Sequence, residues 1–207
     1  MSKAIFLGTF DPPHLGHYNC IKSVIDSNVM NKFGIDKIHI IPTSQNPNKS
    51  KSTEFIHRYK MCKMMFKDLV NKNQVMVDDI ECNIEHNYTY EIIDYFHSNE
   101  DDYIKDDFWW IITTETLGEI INNSWVNSKQ LLTNNKFLIV VSKADDVNYI
   151  NTLVQQCKYF QIIKLKTNIN CHSSDIRNQY KNGNIQILDY TNLEIKRYII
   201  DNHLYKE

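Results

Sequence analysis

Apolar positions along this chain follow two rhythms. Short, mainly apolar runs occupy residues 4–7, 38–41, 75–77, 108–112, 137–141 and 159–163. Runs of this length, rich in Ile, Val and aromatic residues, suit strands buried on both faces of a parallel sheet. Between them, apolar residues recur at helical spacing: Ile21, Val24 and Ile25, then Tyr59, Cys62, Met65, Phe66 and Leu69, then Ile92, Ile93 and Phe96. The alternation implies right-handed βαβ crossovers and a doubly wound, mostly parallel α/β sheet. No repeat or low-complexity linker interrupts it. Residues 1–207 therefore read as one domain, with a helical C-terminal part from about 167 to 207.

Composition narrows the partners. With 42% hydrophobic and 23% charged residues the chain is an ordinary globular sequence and not a disordered one. Its net charge of −2 lacks the basic excess that a nucleic-acid backbone demands. No apolar stretch approaches the ~20 residues of a membrane helix, and the apolar part of the first residues is too short for a signal peptide. Five cysteines without a C-x-x-C pair fit a reducing compartment, so a cytoplasmic protein without disulfides is expected. The acidic segment 99–107 reads as a solvated loop, with a metal site as the competing reading. Exposed loops would tolerate a modest homo-oligomeric interface.

Chemistry concentrates after the first strand. In open α/β sheets, ligands gather at the carboxyl ends of the strands, against helix N-termini. The first strand runs into Gly8-Thr9-Phe10-Asp11-Pro12-Pro13-His14-Leu15-Gly16-His17, and a helix follows. Gly8 lets a ligand approach the backbone, and the two prolines stiffen the turn. His14 and His17, three apart, face the same side of a first helical turn. Two imidazoles beside unpaired N–H groups and a positive dipole end make an anion site, suited to phosphate. Three competing readings stand beside it: histidines that merely satisfy the core, glycines that serve only the turn, and a zinc site built from His14, His17 and Asp11. Neither the dinucleotide fingerprint nor a Walker loop is present.

The segment from Gly8 to His17 resembles the G-T-F-D-P-x-H-x-G-H signature of the nucleotidylyltransferase superfamily, most closely the bacterial-type nicotinate mononucleotide adenylyltransferases. The resemblance implies a Rossmann-like fold of nucleotidylyltransferase type. It continues through Pro42-Thr43-Ser44-Gln45-Asn46-Pro47-Asn48-Lys49, similar to P-x-x-x-x-P-H-K with Asn48 in place of His, and through Arg58 and Met61 at the spacing of R-x-x-M. Asn87-Tyr88-Thr89-Tyr90 resembles S-Y-T-x-x-T. Residues 110–117 stand where the family has I-I-G-x-D-S-L, with Thr113 for Gly and Glu115 for Asp, substitutions expected to need a shifted backbone. Trp125 lies slightly downstream of the family's pyridine-stacking tryptophan. His172-Ser173-Ser174-Asp175-Ile176-Arg177 is similar to I-S-S-T-x-I-R, and residues 198–205 to the family's closing pattern.

The resemblance implies transfer of AMP from ATP to a pyridine mononucleotide, with release of pyrophosphate, on the route to NAD. It implies ATP contacts from Gly8, Thr9, Phe10, His14, His17, Ser173, Ser174 and Arg177, with His17 stabilising the reacting phosphate. Lys49 would attend the leaving group, while Tyr88, Thr89 and Trp125 would receive the pyridine ring and Thr113 and Glu115 the adenosine side. Magnesium is expected to arrive with ATP and to need no dedicated protein ligands. Two alternatives remain: another nucleotidylyltransferase of the superfamily, taking nicotinamide mononucleotide, phosphopantetheine or glycerol phosphate, and a non-catalytic nucleotide-binding protein.

Overall fold

The computed structural model describes residues 2–43, 52–80, 92, 108–167, 169 and 171–206. Six strands, β1 (Ser2–Gly8), β2 (Ile35–Pro42), β3 (Val75–Val77), β4 (Phe108–Thr113), β5 (Lys136–Val141) and β6 (Tyr159–Lys164), form one sheet in the order β3-β2-β1-β4-β5-β6. Every pairing is parallel. The doubly wound α/β expectation holds, and each predicted run lies inside a strand. Most strands begin or end a residue or more beyond their run because backbone pairing continues into polar positions. In β2 it reaches back to Ile35, buried behind the exposed Asp36.

Nine helices are described: α1 (Leu15–Asp26), α2 (Val29–Phe33), α3 (Phe55–Met65), α4 (Lys67–Asn71), α5 (Thr114–Ile121), α6 (Ser128–Asn134), α7 (Val147–Val154), α8 (Ser173–Lys181) and α9 (Leu193–Asp201). The stretch from Tyr59 to Leu69, expected as one helix, is two. The axis breaks at Phe66 (φ −102°, ψ 11°), whose ring is fully buried. At Ile92 the structure is helical and the side chain buried, whereas Ile93, Phe96 and the acidic segment 99–107 lie outside the described residues.

Strand alternation divides the core into two layers. Ala4, Phe6, Ile38, Ile40, Ile111 and Val140 face one layer, which includes Ile21 and Val24 of α1, Met61 of α3, Ile176 of α8 and Ile195 and Ile199 of α9. Ile5, Ile41, Trp110, Ile112 and Ile139 face the other, with Leu117 of α5 and Ile150 of α7. The winding direction reverses between β1 and β4, neighbours in the middle of the sheet. The crevice above their carboxyl ends is where ligands bind in such sheets. Gly8 ends β1 at that crevice.

Candidate active site

The turn leaving β1 is held by its own side chains. Phe10 takes φ 50°, an uncommon conformation for a bulky residue, and its ring folds back over Gly8. A Cβ at Gly8 would sit 2.9 Å from that ring. The space freed by the missing side chain is filled by the Phe10 ring, a packing reason for the glycine beside the ligand approach expected of it. The Phe10 ring in turn meets His17 edge-on, with centroids 5.0 Å apart.

His14 and His17 do face the same side of the first turn of α1. Their ring centroids are 3.8 Å apart and their planes tilted by 38°. Nδ1 of His14 accepts the Gly16 N–H at 3.1 Å, and Nδ1 of His17 accepts the His14 N–H at 3.1 Å. Each imidazole thus caps the helix, a task usually left to Ser, Thr or Asp. An accepting Nδ1 leaves the proton of the neutral ring on Nε2. Gly16 makes this possible, because a Cβ there would lie 2.8 Å from the His14 ring.

Burial, reinforced by the nearby His172 and opposed by Asp175, lowers the His14 pKa to about 4. The side chain is 6% exposed. Near neutral pH His14 is consequently an uncharged hydrogen-bond donor, not the cation that a pair of phosphate-binding imidazoles suggests.

Asp11 does not join the histidines. Its carboxylate, 3% exposed, accepts the Tyr205 hydroxyl at 2.7 Å through Oδ1 and the Thr53 N–H at 3.1 Å through Oδ2. Its backbone carbonyl accepts a 2.6 Å bond from Arg177, and the Pro12 carbonyl accepts one of 2.9 Å from the Ser173 hydroxyl. The zinc reading loses its carboxylate to these bonds. Ser173 and Arg177 are brought to the histidine turn as expected. Ser174 is exposed on the first turn of α8.

Beneath the turn lies Arg58, fully buried on α3. It donates to the carbonyls of Thr53 at 2.7 Å, Thr9 at 2.8 Å and Thr43 at 2.6 Å, joining the ends of β1 and β2. This clamp was not foreseen, though a signal existed. Arg58 stands at i, i+3, i+4 and i+7 with Met61, Cys62 and Met65, on the buried stripe of its helix. At the end of β2, the Thr43 hydroxyl oxygen is buried without a partner.

Across the switch point, Thr113 caps α5, its hydroxyl accepting the Thr116 N–H at 3.3 Å. Its φ of −90° is an ordinary extended conformation, open to a threonine. Glu115 is exposed on the first turn of α5, its Oε2 4.0 Å from Nδ1 of His172. Residues of two separate motifs, 110–117 and 172–177, therefore approach each other. Trp125 packs edge-to-face on Trp110 at 5.8 Å, in the α5 layer, and its indole N–H donates to Glu119 at 3.2 Å. Lys49, Tyr88 and Thr89 lie outside the described residues.

The cytidylyltransferase-like family model matches residues 5–179. The chain is similar to a Fusobacterium nucleatum protein named a probable nicotinate-nucleotide adenylyltransferase, at 31% identity over 96% of this chain and 97% of that protein. An Acholeplasma laidlawii protein of the same name is 27% identical over 98% and 97%. In fold it is similar to Plasmodium falciparum nicotinic acid mononucleotide adenylyltransferase complexed with NaAD, with TM-score 0.80, 21% identity, and coverage of 99% of this chain and 97% of that one.

Proposed function

The chain belongs to the cytidylyltransferase-like family and is a nucleotidyltransferase, and from that premise we propose that it transfers AMP from ATP to nicotinate mononucleotide. The products are deamido-NAD and pyrophosphate, which places the enzyme in NAD biosynthesis. The observation that carries the reading is the mutually capped His14–His17 pair at the strand-order reversal. The names of the full-length relatives support the choice of acceptor.

The reaction needs no covalent intermediate. A phosphate oxygen of the mononucleotide attacks the α-phosphorus of ATP in line, and the bond from that phosphorus to the bridging oxygen of the β-phosphate breaks. The protein must hold two anions together and receive charge as it moves onto the leaving group. His17 donates to the α-phosphate oxygens. His14, uncharged, donates without first having to shed water. Arg177 and the α8 terminus around Ser173 and Ser174 hold the triphosphate, and Lys49 attends the departing pyrophosphate. Gly8, Thr9 and Phe10 shape the floor, Thr113 and Glu115 face the adenosine, and Tyr88, Thr89 and Trp125 receive the pyridine ring. Magnesium would come with ATP and offset its phosphate charge, and it would need no dedicated ligand from the protein.

We read residues 1–207 as one domain working in the cytoplasm. The shared core of α1, α8 and α9 supports the first point, and the four buried free cysteines among the described residues support the second. The test is pyrophosphate release with magnesium-ATP and, in separate reactions, nicotinate mononucleotide, nicotinamide mononucleotide, phosphopantetheine and glycerol phosphate. The nicotinate acceptor is expected to give the highest kcat/KM. A higher value for any other acceptor reassigns the substrate, and ATP binding without turnover on any of them removes the enzymatic reading.

A further inference from the structure

We propose that Tyr205 is a positioning residue for the histidine turn, acting through the carboxylate of Asp11. The two residues are 194 positions apart, yet the Tyr205 hydroxyl reaches Oδ1 of Asp11 at 2.7 Å. The phenol is held well above its ordinary pKa of 10 by burial and by the adjoining Asp11, so it remains a donor throughout the working range. One carboxylate thereby joins three stretches of chain: the turn itself, Thr53, and the segment around Tyr205.

What hangs on that carboxylate is the candidate machinery. The main chain of Asp11 and Pro12 takes the bonds from Arg177 and Ser173, and two residues later the same strand of chain becomes His14. Thr53 passes the linkage to Arg58, which gathers the ends of β1 and β2. Both sides of the link carry backbone strain. Phe10, adjoining Asp11, has φ 50°, and Tyr205 itself has φ 64°. Bulky residues persist in that region only where their surroundings over-determine them. Removing the hydroxyl leaves Oδ1 buried without its donor, a penalty the carboxylate relieves by rotating. Rotation carries the Asp11–His14 turn with it and loosens the cover over His14.

The kinetic arm rests on the reaction proposed above, and the second arm does not. In Tyr205→Phe, kcat is expected to fall about tenfold while KM for ATP and for the mononucleotide stays within about twofold. The melting temperature should stay within about 3 °C of wild type. Leu204→Ala, which trims a neighbouring core contact and keeps the hydroxyl, should show the opposite pattern, with a lower melting temperature and unchanged kcat. Asp11→Asn combined with Tyr205→Phe should be no slower than Asp11→Asn alone. Independently of turnover, NMR titration should find the His14 ring, near 4 in the wild type, at least about half a unit higher in Tyr205→Phe. If the wild type releases no pyrophosphate, the reaction is wrong and the titration alone decides. An unmoved His14 together with unchanged kcat overturns the proposal. So does a Tyr205→Phe protein that fails to fold, because the bond would then serve stability alone.

Discussion

Two turns flank the switch point, and they are built to opposite electrostatic plans. The turn from β1 into α1 has two imidazoles as caps and no acidic residue in its first turn. The turn from β4 into α5 has a threonine hydroxyl as its cap and Glu115 in its first turn. An acidic side chain at a helix start already answers the positive end of the dipole, so α5 is satisfied from within the chain. The start of α1 has imidazole nitrogens that accept its N–H groups, and no carboxylate in its first turn. That difference fits the proposal that the triphosphate is held at the start of α1. The carboxylate on the α5 side fits the adenosine-side role proposed for Glu115.

The sharpest way to break this contrast is to remove one cap from each turn. His17→Ala should lose ~10²–10³-fold in kcat, as removal of a preorganised charge stabiliser does. Its stability should fall by only about 1 kcal/mol, the worth of a single cap. Thr113→Ala removes a cap of similar strength, and its kcat should fall by less than about tenfold. Equal kinetic losses in steady-state assays would erase the distinction between the turns.

The next largest effect is on stability against pH. The unfolded chain protonates His14 near 6.5, whereas the folded protein resists until about 4. Protons therefore favour the unfolded state as pH falls through that window. The protein should lose on the order of 3 kcal/mol between those limits and no more from this group below them. Denaturant melts of His14→Gln should lack this component, and identical slopes for the variant and wild type would refute it.

The glycines of the two helices give a smaller, matched pair. Gly16→Ala forces a Cβ to 2.8 Å from the His14 ring and should cut kcat about tenfold. Gly118→Ala in α5 meets only the Tyr149 hydroxyl at 3.1 Å, the far end of a side chain that can swing away. It should leave kcat unchanged and raise stability by up to about 1 kcal/mol through helix propensity. Smallest of all, Glu115→Gln should lower KM for ATP about twofold at low ionic strength, an effect lost in high salt. A salt-independent change would mean that Glu115 acts by contact and not by field.

Much of this arrangement was legible in the sequence, because strand runs and the histidine spacing are local signals. Ile38, Ile40 and Ile41 pointed to β2 from within four residues, and His14 and His17 shared a helix face by their separation alone. What escaped was whatever depends on distant neighbours. The uncharged state of His14 comes from burial and from His172, which the sequence places far away. The bonds of Asp11 to Thr53 and Tyr205 are contacts across the whole chain, invisible to periodicity. Arg58 lay between these cases. Its place on an apolar stripe was visible, but the three carbonyls it serves were not. At Gly8 the local motif likewise gives no hint that Phe10 folds back over the missing side chain.

The reciprocal seating of the two imidazoles has a consequence for inheritance and for engineering. Since each ring rests on backbone set by the other, and Gly16 fits beneath one of them, the tetrapeptide from His14 to His17 behaves as a single indivisible part. Grafting one histidine into an unrelated scaffold should transplant nothing useful, whereas moving all four residues together with their glycine-to-proline approach carries the whole geometry along. Drift at either end should be met by loss of the other, so that the pair survives or disappears together.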